Sequence, residues 1–265
     1  MSGQIIGLQD WFATPPGRYL LAWEQAQFDQ AVADVFGYHA LQLGAAEVDG
    51  LRANRMPHRW LALDDPARGG RATLLTDFAA LPFAANSLDL VVMPHALELS
   101  PDPHATLREV ERVLVPEGRV LILGFNPASL WGTRQRLGRM RRRLGMGTER
   151  DLFLPRAGEF IGYRRLRDWL RLLSFEVESG RFGCYIPPVT SAKWLARFGW
   201  MEKAGDRWWP PFGALYYIVA VKRVRGMRLI GLVRDDVRPK AAAAPAPVAV
   251  TQRRAVELET LGDPN

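Results

Sequence analysis

Of the side chains in this sequence, an imidazole is best placed to move a proton near neutral pH. His95 lies just past the apolar run Leu88–Met93, which Pro94 closes, with the Glu98 carboxylate one helical turn further on. There it could serve as a general base or orient a substrate, or it could start a helix and pack in a core. Glu98 carries the same two readings, while His104, in Pro101-Asp102-Pro103-His104, reads as a cap or surface residue. Polar groups also follow other short apolar runs: Asp64 and Asp65 close Trp60–Leu63, Asp77 closes Ala72–Thr76, and Asn126 comes shortly after Arg119–Leu123, which Gly124 closes. Asn126 can donate and accept hydrogen bonds; the plain alternative is an Asx turn ahead of Pro127. A single cysteine, Cys184, allows no internal disulfide and no cysteine-rich zinc site, and the expected metal content is none.

Charge is the second chemical signal. The net charge is +7. Between Trp131 and Arg171, twelve arginines face Glu149, Asp151, Glu159 and Asp168, a local excess of 12 − 4 = +8. Within it, Arg134–Gly147 interleaves arginines with Leu137, Met140, Leu144 and Met146. Such a basic amphipathic segment suits an anionic partner at Arg134–Arg143, either a membrane surface or a nucleic acid. A solvated helix with its apolar side on the core is the third reading. A composition of 48% hydrophobic and 24% charged residues excludes a wholly disordered, collagenous or disulfide-scaffold chain. The apolar run Ala214–Val221 is far short of the roughly 20 residues that span a bilayer. The first residues lack a basic start and an apolar h-region, so a cytoplasmic location is expected.

These groups need elements to position them. Residues 1–36 read as an N-terminal helical leader, with a helix from about Arg18 to Val35 after the break at Pro15-Pro16-Gly17. Then come five apolar runs of the kind that buried parallel strands show: Ala40–Leu43, Trp60–Leu63, Ala72–Thr76, Leu88–Met93 and Arg119–Leu123. Between the last two, Leu107, Val110, Val113 and Leu114 share one face of a helix that Pro116-Glu117-Gly118 ends. Arg164–Leu173 is a second clear helix, and Phe175–Phe182 and Ala214–Val224 read as a late pair of strands. The pattern divides the chain into the leader, a domain over 37–225, and a mostly disordered tail over 226–265. The domain carries a basic insert at 127–163 and an aromatic lid at 183–213, which includes Trp208-Trp209-Pro210-Pro211-Phe212.

The stretch from Thr73 to Asn126 carries a resemblance. Asp77, Leu81-Pro82-Phe83, Leu88-Asp89-Leu90-Val91, His95-Ala96-Leu97-Glu98 and Pro116-Glu117-Gly118-Arg119 follow one another in a characteristic order. In this the chain resembles the class I S-adenosylmethionine-dependent methyltransferases, specifically the type 11, ubiquinone/menaquinone-methyltransferase-like group. The resemblance implies an α/β fold with a Rossmann-like, seven-stranded, mostly parallel sheet, helices on both faces and an antiparallel last strand. It implies S-adenosyl-L-methionine as cofactor, held by Gly44, Asp64, Asp77, Phe78 and Pro94. Asp77 would take the adenine amino group, and Asp64, or Asp65 beside it, the ribose hydroxyls. His95 becomes the catalytic candidate, Asn126 and Trp131 the substrate contacts, and the acceptor a small molecule.

One motif departs from the family. Where the group shows an acid followed by Gly-x-Gly-x-Gly, this chain has Gln42-Leu43-Gly44-Ala45-Ala46-Glu47-Val48. Ala46 and Val48 stand where glycines would let a backbone approach a ligand closely. The span Asp65–Ala72 is also too short for the usual helix. Two alternatives follow: a catalytically degenerate binding or regulatory protein on this fold, and a nucleic-acid methyltransferase that uses the arginine-rich segment.

Overall fold

Continuous apolar segments form strands when both faces of a sheet are covered, and such segments are the central strands of a seven-stranded sheet in the computed structural model, which describes residues 8–65, 72–146, 152–154 and 160–223. The seven strands are β1 (His39–Leu43), β2 (His58–Leu63), β3 (Leu74–Leu75), β4 (Leu88–Pro94), β5 (Leu114–Phe125), β6 (Phe175–Gly183) and β7 (Leu215–Lys222). The order is β3-β2-β1-β4-β5-β7-β6. The first five are parallel, and β7 is antiparallel to both β5 and β6. This is the expected Rossmann-like sheet. The expected tail at 226–265 lies outside the described residues.

Two strands, β3 and β5, differ most from expectation. β3 has only two residues; just before it, the Thr73 amide donates to the Leu61 carbonyl while its Oγ1, in place of a backbone carbonyl, accepts from the Leu61 amide at 2.9 Å. β5 starts earlier, at Leu114, directly where α4 (Pro103–Val113) ends. Leu114 pairs with Leu88, and the ladder then slips before Leu90 meets Arg119. Pro116-Glu117-Gly118 is therefore an irregularity within the strand, with Glu117 at φ 66°, rather than the end of the helix. The Leu81-Pro82-Phe83 stretch hangs on α4, where Glu109 accepts from the Leu81 amide and Arg112 donates to the Leu81 and Phe83 carbonyls. Asp89 caps the start of β1 by accepting from the Tyr38 and His39 amides.

The N-terminal segment is part of the core. α1 (Leu8–Phe12) turns into α2 (Pro15–Val32), capped by Thr14 with Pro15 at its first position, where the missing N–H costs nothing. The proline pair thus opens the helix three residues before the expected start. Gly17 is required there, since a Cβ would sit 2.3 Å from the Trp11 carbonyl oxygen. Residues 44–57, which connect β1 to β2, contain no helix, and α2 covers them instead. Phe28 and Val32 pack with Val48 and Leu51. Gln25 bonds both ways with the Asp49 backbone, and Asp29 pairs with Arg52. Asn54 donates to the Val32 and Val35 carbonyls and so caps the C-terminal end of α2. On the other face, α4 and α6 (Tyr163–Leu172) bury Leu107, Val110, Val113, Leu166 and Leu170.

The remaining elements lie between strands. α3 (Ala96–Leu99) follows β4, and α5 (Leu130–Arg143) follows β5. The β6–β7 connection holds α7 (Ala192–Arg197), α8 (Trp200–Trp208) and a 3₁₀ turn at Pro210–Phe212. No described helix is long and apolar enough to cross a membrane.

Candidate active site

In open α/β sheets a ligand site forms beyond the carboxyl ends of the strands, where the strand order reverses. Here that point lies between β1 and β4. Gly44 closes β1 at φ +88° and donates to the Ala62 carbonyl at 3.2 Å. A Cβ on it would lie 2.9 Å from the Pro94 carbonyl oxygen, so only glycine lets these two strand ends meet.

Gln42, which stands in place of the family's acid, explains the altered loop after Gly44. Its Nε2 donates to the carbonyls of Ala45 at 3.0 Å and Val48 at 2.7 Å, and its Oε1 accepts from the Gly50 amide at 2.9 Å. Two of those three partners are acceptors, which a carboxylate could not satisfy. Loop and residue therefore match: Gln42 holds a tight turn, and Val48 is buried in the same cluster as Phe28 and Val32 of α2. A recess of about 250 Å³, lined by Gln42, Ala46, Val48, Arg52, Arg59 and Trp60 among others, opens beside this loop.

Further along the edge, Asp64 and Asp77 are exposed at the ends of β2 and β3. Asp77 Oδ1 accepts from the Ala79 amide at 2.8 Å, leaving its second oxygen to face outward. Phe78 is buried against Leu41, Leu43, Ala62 and Met93 under the edge, and Pro94 is buried at the end of β4.

His95 sits in a left-handed turn at φ 54° between β4 and α3. Its Nδ1 lies 2.8 Å from Glu98 Oε2 and its Nε2 lies 3.0 Å from Glu24 Oε1 on α2. Glu98 Oε1 accepts from the Phe125 amide. All three side chains are buried, under Phe12 of α1 and against the Phe125 ring, whose centroid is 4.5 Å from the imidazole. Burial would drive the imidazole towards its neutral form. The charges and hydrogen bonds of Glu24 and Glu98 outweigh that and hold its pKa up at about 10. Burial pushes Glu98 upwards, opposed by its bond to His95. The imidazolium is thus clamped between the Glu24 and Glu98 side chains. A general base must be neutral and within reach of its proton; His95 in this arrangement is charged, enclosed and bonded through both nitrogens. It ties α2 to the ends of β4 and β5.

Asn126 and Trp131 are buried as well. Asn126 Nδ2 donates to the Pro211 and Gly213 carbonyls at 2.7 and 2.9 Å, and its Oδ1 accepts from the Ala128 amide. Trp131 Nε1 donates to the Ile186 carbonyl at 2.6 Å, with its ring against Trp11 and Phe153. Both hold the 183–213 segment against the carboxyl edge.

The sequence reading missed Glu24 and Gln42. Glu24 lies 71 residues from His95 on a helix that sequence spacing alone does not orient. Gln42 was recognisable only as a departure from the family pattern. One oxygen of Glu24, Oε2, is buried with no hydrogen-bond partner among the described residues.

Comparison with known proteins agrees with this architecture. Residues 37–122 match the family model described as a methyltransferase domain. The uncharacterized protein YafS of Escherichia coli (strain K12) is 29% identical over 243 residues, covering 91% of each chain. Among solved structures, a chain from the complex between the Haloferax volcanii Trm112 methyltransferase activator and a methyltransferase aligns with a TM-score of 0.53 at 16% identity, over 84% of this chain and 99% of that one. A S-adenosylmethionine-dependent methyltransferase from Mesorhizobium loti aligns at 0.51 and 14%, over 76% and 99%. The shared fold is that of the class I methyltransferases, and the cofactor it implies is S-adenosylmethionine.

Proposed function

We propose that this methyltransferase fold binds S-adenosylmethionine along the edge formed by Gly44, Asp64, Asp77 and Pro94 and transfers its methyl group to a small, lipophilic acceptor. The observation that supports this most is the pair of exposed carboxylates, Asp64 and Asp77, at the ends of adjacent parallel strands beside the Gly44 turn. They fit the polar half of the cofactor: Asp64 would accept from the ribose hydroxyls, and the outward oxygen of Asp77 from the adenine amino group. Phe78 would support the Asp77 turn from below. When bound, the cofactor supplies a methyl group on a sulfonium, an electrophile that needs no metal activation.

The chain's own part is positioning and the exclusion of water. The Glu24–His95–Glu98 cluster holds the end of β4 fixed relative to α2. Asn126 and Trp131 hold the aromatic 183–213 segment over the same edge, where an apolar acceptor would lie. His95 acts here as a positioning residue.

Titration calorimetry with S-adenosylmethionine and S-adenosylhomocysteine tests the reading. Micromolar binding weakened tenfold or more in Asp77→Ala, about the effect of one lost charge-assisted hydrogen bond, is expected. No binding of either ligand by a well-folded sample overturns it. The second reading, a binding protein that has lost turnover, draws on the helix-free connection at 44–57. Binding without methyl transfer to any acceptor in a lipophilic panel would favour it.

A further inference from the structure

We propose that α5 docks the protein onto an anionic lipid surface, lying in the membrane plane with its outward face in the acyl boundary. A surface helix of a globular protein turns its apolar side inward; α5 has apolar residues on the opposite side too. Its inner face is Trp131, Gln135 and Gly138, all buried. The opposite face, at positions 130, 133, 137, 140 and 144, reads Leu130, Thr133, Leu137, Met140 and Leu144. Its four apolar residues are 54 to 59% exposed, and Met146 just beyond is 70% exposed. The helix that carries this stripe is well defined. Ser129 caps its start, accepting from the Gly132 amide at 3.0 Å. Gly145, at φ +70°, ends it, with Gly145 and Met146 donating back to the Arg142 and Arg141 carbonyls.

Arginines border the stripe on both sides. Arg136 and Arg143 run along one flank, Arg134 and Arg141 along the other, and residues 130–146 include no acidic residue. Arg139, Arg142 and Arg143 also line a recess together with Leu152. An apolar stripe between two rows of guanidinium groups matches a lipid interface: the stripe leaves water, and the arginine stems extend so that the charges meet headgroup phosphates. A nucleic-acid backbone would use the arginines but leave the leucines and methionines in water. A second copy of this helix would set arginines against arginines. Exposed Trp194, Trp200 and Trp208 lie in the segment that packs on α5 through the Trp131–Ile186 bond, and tryptophan favours the headgroup level. Because only four residues separate the end of β5 from the start of α5, docking would bring the carboxyl edge close to the bilayer. That consequence for a lipophilic acceptor rests on the proposed function; the docking itself does not.

The test is co-sedimentation of the full chain with vesicles of phosphatidylcholine alone and with about a third phosphatidylglycerol, at low and high salt. Binding to the anionic vesicles, weak binding to neutral ones and reduction by salt are expected. Arg136→Gln/Arg143→Gln should weaken binding roughly 25-fold, at about fivefold per arginine near an anionic surface. Leu137→Glu/Met140→Glu should weaken it at least about tenfold by removing stripe area. These side chains are exposed, so unchanged melting of both variants confirms that folding is intact. No binding to anionic vesicles overturns the proposal. So does binding that Leu137→Glu/Met140→Glu leaves unchanged, or tighter retention by RNA or by an acidic amphipathic peptide than by vesicles. Cofactor titration of the same variants separates this result from the methyltransferase reading, since neither pair touches Gly44, Asp64 or Asp77.

Discussion

Replacing His95 with asparagine should destabilise the protein severely, and for an electrostatic reason. Asparagine tolerates the left-handed backbone found at this position and can still reach Glu98. It cannot reach Glu24 as well, and Glu24 would then be a buried carboxylate without the only hydrogen-bonded partner it has among the described residues. Removing one member of a buried charge cluster costs about 3–5 kcal/mol. At about 2–4 °C per kcal/mol for a domain of this size, the melting midpoint should fall by roughly 6–20 °C. A cavity could produce part of that loss, so the informative variant is His95→Asn/Glu24→Gln. The second change removes the stranded charge and enlarges nothing, and it should recover at least about half of the loss.

The pH dependence gives an independent reading. The imidazole pKa is raised in the folded protein, from an ordinary 6.5 to about 10. Its contribution is therefore complete below pH 6.5 and is lost as pH rises through about 10. The gap between the native protein and His95→Asn should be widest at pH 6.5 and below, and should close as pH rises through about 10. Circular-dichroism melts of the native chain, both single variants and the double variant across this range provide the comparison. A His95→Asn midpoint within about 2 °C of native, where about 6 °C is the least expected, would refute the reasoning. A failure of Glu24→Gln to restore it would do the same.

Three further outcomes follow from the same geometry. Gln42→Glu should lower stability by about 2–4 kcal/mol in chemical denaturation, since two donors to buried carbonyls are lost and a carboxylate then faces them. Gly44→Ala should lose about 1–3 kcal/mol, because alanine meets both the positive φ and the Pro94 carbonyl. Trp131→Phe should leave the Ile186 carbonyl unsatisfied, at about 1–2 kcal/mol. In limited proteolysis it should speed cleavage within the 183–213 segment relative to the rest of the chain.

What was legible in the sequence follows from whether a feature's cause is local. β1, β4 and the latter part of β5 announce themselves because strands buried on both faces must be apolar throughout, and α4 because its apolar positions repeat at helical spacing. β3 is harder to see: an edge strand of two residues, flanked by a threonine that pairs through its hydroxyl, has little pattern to show. The order of polar groups along the carboxyl edge was also legible, since each ends an apolar run. What each of them does was not. Asn126 and Trp131 end in hydrogen bonds to the 183–213 segment, and their partners lie 55 to 87 residues away. No local pattern encodes such a partner.

The same distinction accounts for the N-terminal helices. Read locally, Pro15–Val32 is a helix preceding the domain, and its Glu24 is one more charged residue on a surface. In the fold, the β1–β2 connection has no helix of its own, and the sheet face above it would lie open. α2 fills that place with Phe28 and Val32, and the residues of the helix-free connection are those that bond to it: Asp49 to Gln25, Arg52 to Asp29, Asn54 to the end of the helix. Gln42 belongs to the same substitution, because a loop that does not become a helix needs its carbonyls satisfied by a donor. The loss of the glycine pattern, the amide in place of the acid and the buried glutamate on α2 are therefore one structural change seen at three positions. On that account Gln42→Glu and Glu24→Gln should not add independently to the loss of Gln25 and Asp29 contacts: each loosens the hold of α2 on the β1 edge, and combining Gln42→Glu with Asp29→Ala should cost measurably less than the sum of the two. Strict additivity of the two would mean that the loop and the helix are held separately.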